Sequence, residues 1–141
     1  MKVSEIMSRD VQIANPQQTI AEIARIMADR EIGFLPVGED DRLVGTITDR
    51  DIVIRAVADG LGGETKVREV MSRDVKYCFE DEDVDEVAHN MGDIQVRRLP
   101  VVSQEKRLTG VVSIGDAALA ETAAAGMGLK EVARPGGAHA H

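Results

Sequence analysis

The chain repeats itself, and that duplication limits its possible folds more than any other feature. Val3-Ser4-Glu5-Ile6-Met7-Ser8-Arg9-Asp10-Val11 returns as Val67-Arg68-Glu69-Val70-Met71-Ser72-Arg73-Asp74-Val75. In the same register Leu35-Pro36-Val37 returns as Leu99-Pro100-Val101. After one inserted residue, Arg42-Leu43-x-Gly45 matches Arg107-Leu108-x-Gly110, and Thr48 and Asp51 match Ser113 and Asp116. So many blocks in order with a single slip mark an internal repeat, and each copy must supply one structural unit.

Both copies read as the same run of elements. From Thr19 to Arg30, Ile20, Ile23, Ala24 and Met27 fall on one helical face, with Thr19 and Glu22 as a capping box. Val84, Val87, Ala88 and Met91 repeat that face, with Asp83 and Glu86 as the cap. Gly33 and Gly92 stand where left-handed helix ends are expected. A strand around Leu35-Pro36-Val37, a polar turn at Gly38-Glu39-Asp40-Asp41 and a strand from Leu43 to Ile47 follow, and a second helix starts after Thr48. The expected fold is therefore α/β: two pseudo-twofold-related β-α-β-β-α repeats packed through their sheets. One unit of about 60 residues is marginal alone, so the two must share a core. The boundaries are 1–61 for repeat 1, 62–66 for a linker, 67–123 for repeat 2 and 124–141 for a loose tail.

Composition excludes several functions. The net charge of −8 repels a phosphate backbone, and 2% aromatics give no platform for stacked bases, so nucleic acid is not an expected partner. No segment is long and apolar enough for a signal peptide or a membrane span. Cys78 is the only cysteine, which rules out an intrachain disulfide and fits a reducing cytoplasm.

The chemistry-bearing segment is Gly45-Thr46-Ile47-Thr48-Asp49-Arg50-Asp51, matched by Gly110-Val111-Val112-Ser113-Ile114-Gly115-Asp116. Each places a hydroxyl where a strand passes into a helix and an acid one turn later. Free N–H groups at such a junction favour an anion. Thr48 or Ser113 could bond a phosphate, and Asp51 or Asp116 could accept from ribose hydroxyls. Glycine ahead of the strand permits close backbone approach. The same pattern is also a capping box. Its presence at equivalent places in both halves favours a ligand role, since pseudo-twofold packing would bring both ends to one cleft, and the two roles are compatible.

Taken together, the Met-Ser-Arg-Asp-Val starts, the Leu-Pro-Val strands and the two Gly-x-x-Thr/Ser-x-x-Asp segments resemble a stand-alone bacterial pair of cystathionine-β-synthase-type (CBS) repeats. The resemblance covers residues 1 to about 120. It implies a regulatory module that senses an adenine nucleotide (AMP, ATP or an NAD-like dinucleotide), with no required cofactor. It implies that Asp51 and Asp116 hold ribose and that Thr48 and Ser113 face phosphate. It also implies adenine pockets lined by Val11, Leu35 and Ile47, and by Val75, Leu99 and Val112; each of these fits a core position equally well.

An acidic nucleotide binder needs local cations. Arg50 supplies one in repeat 1, while Arg97 and Arg98 supply them in repeat 2, where repeat 1 has Gly33-Phe34. Adjacent strand residues point to opposite faces, so at most one of Arg97 and Arg98 faces the cleft. The asymmetry predicts unequal sites.

In the helix after Thr48, Ile52, Val53, Ala56 and Val57 form the expected inward stripe, with Ile54 and Ala58 pointing elsewhere. The excess apolar surface and the small-sided Ala117-Ala118-Leu119-Ala120 predict a homodimer, which the resemblance makes a flat four-repeat disc. An effector protein would read the ligand signal. The alternative is a ligand-free interaction or oligomerisation module whose motifs are only helix caps. An enzyme is not expected. CBS repeats occur inside inosine-monophosphate dehydrogenases, but the catalytic barrel needs about 250 residues. No metal site is expected either. His89 sits in a helix, His139 and His141 lie in the tail, and Glu80-Asp81-Glu82-Asp83 lacks the ligand spacing of a calcium loop.

Overall fold

The computed structural model of the chain describes residues 1–121. The expected tail, 124–141, with His139 and His141, lies outside the described residues. In repeat 1, helix α1 (Ile20–Arg30) leads to strands β1 (Phe34–Glu39) and β2 (Arg42–Thr48), then α2 (Asp49–Asp51), which continues as a wide π-helical turn at Ile52–Val57. Repeat 2 gives β3 (Cys78–Phe79), α3 (Val84–Ile94), β4 (Arg98–Val102) and β5 (Leu108–Ser113). A final helix, α4, runs from 114 through 121. β1 and β2 form an antiparallel pair. In repeat 2, β3 runs parallel to β4, which is antiparallel to β5. The first strand of repeat 1 is reduced to one parallel bridge, Ala14 to Val37.

The helix starts follow their sequence signals, with one difference. Thr19 accepts from the Glu22 N–H at 3.2 Å while the Glu22 side chain reaches back to the Thr19 N–H. In α3, Asp83 instead caps the Asp85 N–H at 3.1 Å, and Glu86 takes no part. The left-handed ends fall on Glu31 (φ 55°) and Gln95 (φ 58°), not on Gly33 or Gly92. Gly92 lies within α3, and its Cβ position is open space. Of the expected stripe, Ile20, Ile23 and Met27 are buried but Ala24 is exposed.

The inserted residue falls in a hairpin turn, where it costs the sheet nothing. Repeat 1 turns through Asp40 and Asp41, both at positive φ, as a tight hairpin of this hand requires. Repeat 2 uses a longer turn closed by the Ser103 N–H donating to the Arg107 carbonyl at 2.8 Å. The hairpins meet at their turns: Arg42 bridges its counterpart Arg107, and Asp41 pairs with Arg107 at 3.3 Å.

Each repeat completes the other's core. Val67, Val70 and Met71, from the start of repeat 2, pack with Ile23, Leu35, Val37 and Ile47 of repeat 1. Val3 and Met7, from the start of repeat 1, pack with Cys78, Val87, Met91 and Val101 of repeat 2. Neither core closes without the other chain half, so burial makes the two repeats interdependent; each fully buried aliphatic side chain contributes about 1.5–3 kcal/mol.

The exchange also explains the two motif glycines. Ser8 and Val111 exchange backbone hydrogen bonds at 2.8 and 3.0 Å, and Thr46 and Ser72 do the same at 3.0 and 2.8 Å. A Cβ on Gly110 would stand 2.6 Å from the Ser8 carbonyl oxygen, and one on Gly45 would stand 2.7 Å from that of Ser72. The close approach these glycines allow is that of the partner repeat's backbone.

Candidate functional site

The cross-repeat exchange opens a cleft of about 370 Å³ between the halves. Repeat 1 contributes Ser8, Asp10, Val11, Gln12, Arg30, Ile32, Phe34 and Leu35, and repeat 2 contributes Arg98, Val111, Ser113 and Asp116. The cleft thus joins the motif of one repeat to the strand start of the other. Thr48 and Asp51 do not line it, so the two motif ends do not share one cleft as expected. The reason is topological: the Ser8 segment lies beside Val111 on β5 and brings Val11 to Ser113, away from β2.

At the centre, Ser113 and Asp116 hold each other. The Asp116 N–H donates to Ser113 Oγ at 2.9 Å, and the Ser113 N–H donates to Asp116 Oδ2 at 3.0 Å. The capping role is therefore present in full. It uses one carboxylate oxygen, and among the described residues nothing bonds Oδ1 of Asp116. Arg98 is the direct cross-strand partner of Ser113. Paired residues of an antiparallel ladder project to the same face, so its guanidinium stands beside the motif. Arg97, its neighbour, does not line the cleft. Arg30, in the last turn of α1, adds a second guanidinium. Neither Arg30 nor Arg98 has a side-chain hydrogen bond or ion pair among the described residues. No sequence pattern marks Arg30, because it stands at the end of a helix, far from the motif, and its counterpart residue is Ile94.

The Thr48 motif is built alike and surrounded differently. The Asp51 N–H donates to Thr48 Oγ1 at 3.0 Å and the Thr48 N–H to Asp51 Oδ2 at 2.9 Å. Across the ladder from Thr48 stands Phe34, not an arginine. Arg55 Nε lies 3.8 Å from Asp51 Oδ1. Arg50 is exposed and lies outside the cleft. Val75 and Leu99 line a separate cavity of about 400 Å³ with Lys76, Tyr77, Cys78 and Ile94, which neither Thr48 nor Asp51 reaches. Ile47 and Val112, at 0% and 1% exposure, lie in the two cores and line neither cavity. Val11 and Leu35 do line the first.

The helix after Thr48 departs from its expected face. Ala56 is buried and Ile52 partly so, but Val53 and Val57 are 58% and 62% exposed. The π turn, in which the Ala58 N–H reaches Val53, widens the helix and rotates those valines outward. Cys78 is buried in the repeat 2 core, where desolvation and then the charge of Glu82 push its thiol up to about 12. No group of three or more His, Cys, Asp or Glu among the described residues is placed to hold a metal. No helix of the described residues is long and apolar enough to cross a membrane.

A family model described as the CBS domain matches residues 3–57 and 67–122. The CBS domain-containing protein YhcV of Bacillus subtilis is 38% identical over 117 residues, covering 83% of each chain. A putative signal-transduction protein with CBS domains from Burkholderia ambifaria superposes with a TM-score of 0.78 at 27% identity, covering 87% of this chain and 95% of that one. The CBS domain pair of the protein MJ0100, solved with 5′-methylthioadenosine and S-adenosylmethionine, gives a TM-score of 0.77 at 31% identity, covering 88% and 98%.

Proposed function

The chain belongs to the CBS-domain family, whose tandem pairs are regulatory modules, and on that premise we propose that it senses an adenine nucleotide such as AMP, ATP or an NAD-like dinucleotide. The observation that carries this reading is the Ser113–Asp116 cleft. Among the described residues it combines a carboxylate with one uncommitted oxygen, two guanidiniums without side-chain partners and an apolar wall at Val11, Ile32 and Leu35. A ribose diol donates to the Asp116 carboxylate, phosphate takes Ser113, Arg98 and Arg30, and the base lies on the apolar wall. Two unpaired arginines facing one cleft in a chain of net charge −8 select for an anion. That a related pair was solved with two adenosine-containing ligands supports the same class.

Binding across the two repeats orders the cleft and shifts the module between states that an effector protein reads. Val53, Ile54, Val57 and Leu119, at 47–72% exposure, form the apolar surface through which we propose a homodimer, arranged as a four-repeat disc. A monomeric mass at tens of micromolar chain would rule this out. A cytoplasmic location, where adenine nucleotides are abundant, belongs to the same proposal.

Isothermal titration with AMP, ADP, ATP and NAD, beside Asp116→Ala, tests the reading. One nucleotide should bind at micromolar strength. The variant should lose about ten- to a hundredfold of that affinity, as expected for charge-assisted hydrogen bonds of about 1.5–3 kcal/mol. The complete capping boxes favour a second reading, a ligand-free interaction module. In that case no nucleotide binds, and Asp116→Ala costs only the cap, about 0.5–2 kcal/mol of stability.

A further inference from the structure

The two repeats offer two Thr/Ser-x-x-Asp motifs, and the structure treats them differently at three independent points. Asp51 accepts at Oδ2 from the Thr48 N–H at 2.9 Å, and its Oδ1 forms an ion pair with Arg55 Nε, one helical turn on, at 3.8 Å. Arg55 is itself tethered: its Nη1 donates to the carbonyls of Met71 and Val70, at 3.3 and 3.5 Å. These carbonyls belong to the Met71-Ser72 segment that crosses from repeat 2 onto β2, so the guanidinium ties the motif acid to the crossing strand. In repeat 2 the residue matching Arg55 is Ala120, which reaches nothing comparable, and Asp116 keeps Oδ1 open. Second, the cross-strand partner of Thr48 is Phe34, whereas that of Ser113 is Arg98. A phosphate beside Thr48 would face an aromatic ring where its counterpart faces a cation. Third, the cavity that contains Val75 and Leu99 does not extend to Thr48 or Asp51, while the cavity that contains Val11 and Leu35 does extend to Ser113 and Asp116.

We propose that the protein is a single-site sensor: nucleotide fills the Ser113–Asp116 cleft alone, and Arg55 acts as an internal stopper that occupies the acid of the pseudo-equivalent site. The inference rests on the nucleotide reading above and adds the occupancy of the pair and the residue that sets it. A guanidinium tethered to the Val70 and Met71 carbonyls stays within ion-pair distance of the carboxylate and so competes with ribose hydroxyls at a high effective concentration. Removing it leaves Asp51 as uncommitted as Asp116. One nucleotide per chain makes the two-repeat module asymmetric in its bound state, although its fold is pseudo-symmetric.

The test is the stoichiometry of ATP binding per chain, by isothermal titration and by equilibrium dialysis, for the wild type, Arg55→Gln and Arg55→Gln/Asp51→Asn. Glutamine keeps part of the arginine stem and removes the charge, and a thermal melt of each variant verifies folding. If Arg55→Gln were to melt early, Arg55→Lys, which cannot span the same carbonyls with a planar fork, serves in its place. The expected result is one ATP per wild-type chain, a second and weaker ATP in Arg55→Gln, and a return to one in the double variant. Two ATP per wild-type chain would overturn the single-site inference while leaving the nucleotide reading intact. One ATP in a folded Arg55→Gln would remove the stopper role. No binding of any nucleotide to the wild type would sink the nucleotide reading itself, and this inference with it.

Discussion

The motifs around Ser113 and Thr48 place a hydroxyl and an acid at the same spacing and make the same two hydrogen bonds, within 0.1 Å. They differ most in what surrounds them. Around Ser113–Asp116 stand an open cleft and two guanidiniums, Arg30 and Arg98, that are unpaired among the described residues. Around Thr48–Asp51 stand an aromatic ring across the ladder and a tethered arginine. The comparison teaches that a short motif specifies a local turn, and that its neighbours decide whether the turn is a site. A capping box needs only four consecutive residues. A nucleotide site also needs cations and an apolar wall; beside Ser113–Asp116 the wall of Val11, Ile32 and Leu35 and one arginine, Arg30, come from repeat 1, while Arg98 comes from repeat 2 itself.

Charge should separate the halves most sharply. Arg98→Gln should weaken nucleotide binding about ten- to a hundredfold, while Arg97→Gln, one residue away and outside the cleft, should leave the affinity unchanged in the same titration. Equal losses in both would mean that a general field, not the cleft, attracts the ligand. Backbone contact gives the next contrast. Gly110→Ala and Gly45→Ala each drive a Cβ into a carbonyl of the crossing segment and should each cost about 1–3 kcal/mol of stability in urea unfolding. Only Gly110→Ala should also lower affinity, since Ser8 and Val111 line the cleft. Capping should not discriminate at all: Thr48→Ala and Ser113→Ala should lose a similar stability, about 0.5–2 kcal/mol each, by thermal melt. A large difference would show that one box carries a load the other does not.

The smallest effect concerns Cys78. Its thiol is raised from 9.0 to about 12 in the folded chain, so the folded state holds its proton more tightly than the unfolded state. Its contribution to stability is intact below about pH 9 and is lost as pH rises from there towards 12. At neutral pH native protein should resist a thiol-directed reagent, and the same reagent should label Cys78 fully in denaturant. Fast labelling of the native protein would mean that the repeat 2 core opens more readily than its packing implies.

Much of this fold was legible because it depends on short-range patterns. The periodicity of Ile20, Ile23 and Met27 marks α1, the Thr19–Glu22 box marks its start, and the matched blocks mark the duplication. The misreadings have physical causes. The left-handed ends fell on Glu31 and Gln95, since one residue at positive φ costs little where the surrounding helix and strand demand it. Asp83 found the Asp85 N–H before Glu86 could close a box. Val53 and Val57 were assigned inward from an ordinary helical period, and a π turn moved them out. The candidate acids and hydroxyls are readable from their spacing, and so is a difference between the halves, from Arg97-Arg98 against Gly33-Phe34, while the pairing of Arg98 with Ser113 is not.

By itself, the sequence determined the two units, their elements and the motif that caps each second helix, because helix periods, turns and caps are set by residues a few positions apart. Only the tertiary structure decided which motif meets which wall. The crossing of Ser8 onto Val111 and of Ser72 onto Thr46 joins residues of the two repeats that lie far apart in sequence. That crossing buries Val3 in one core and Val67 in the other, places Arg30 across from Asp116, and brings the Val70 and Met71 carbonyls to Arg55. Contacts between distant segments follow from how two apolar faces pack together, and no local spacing encodes that.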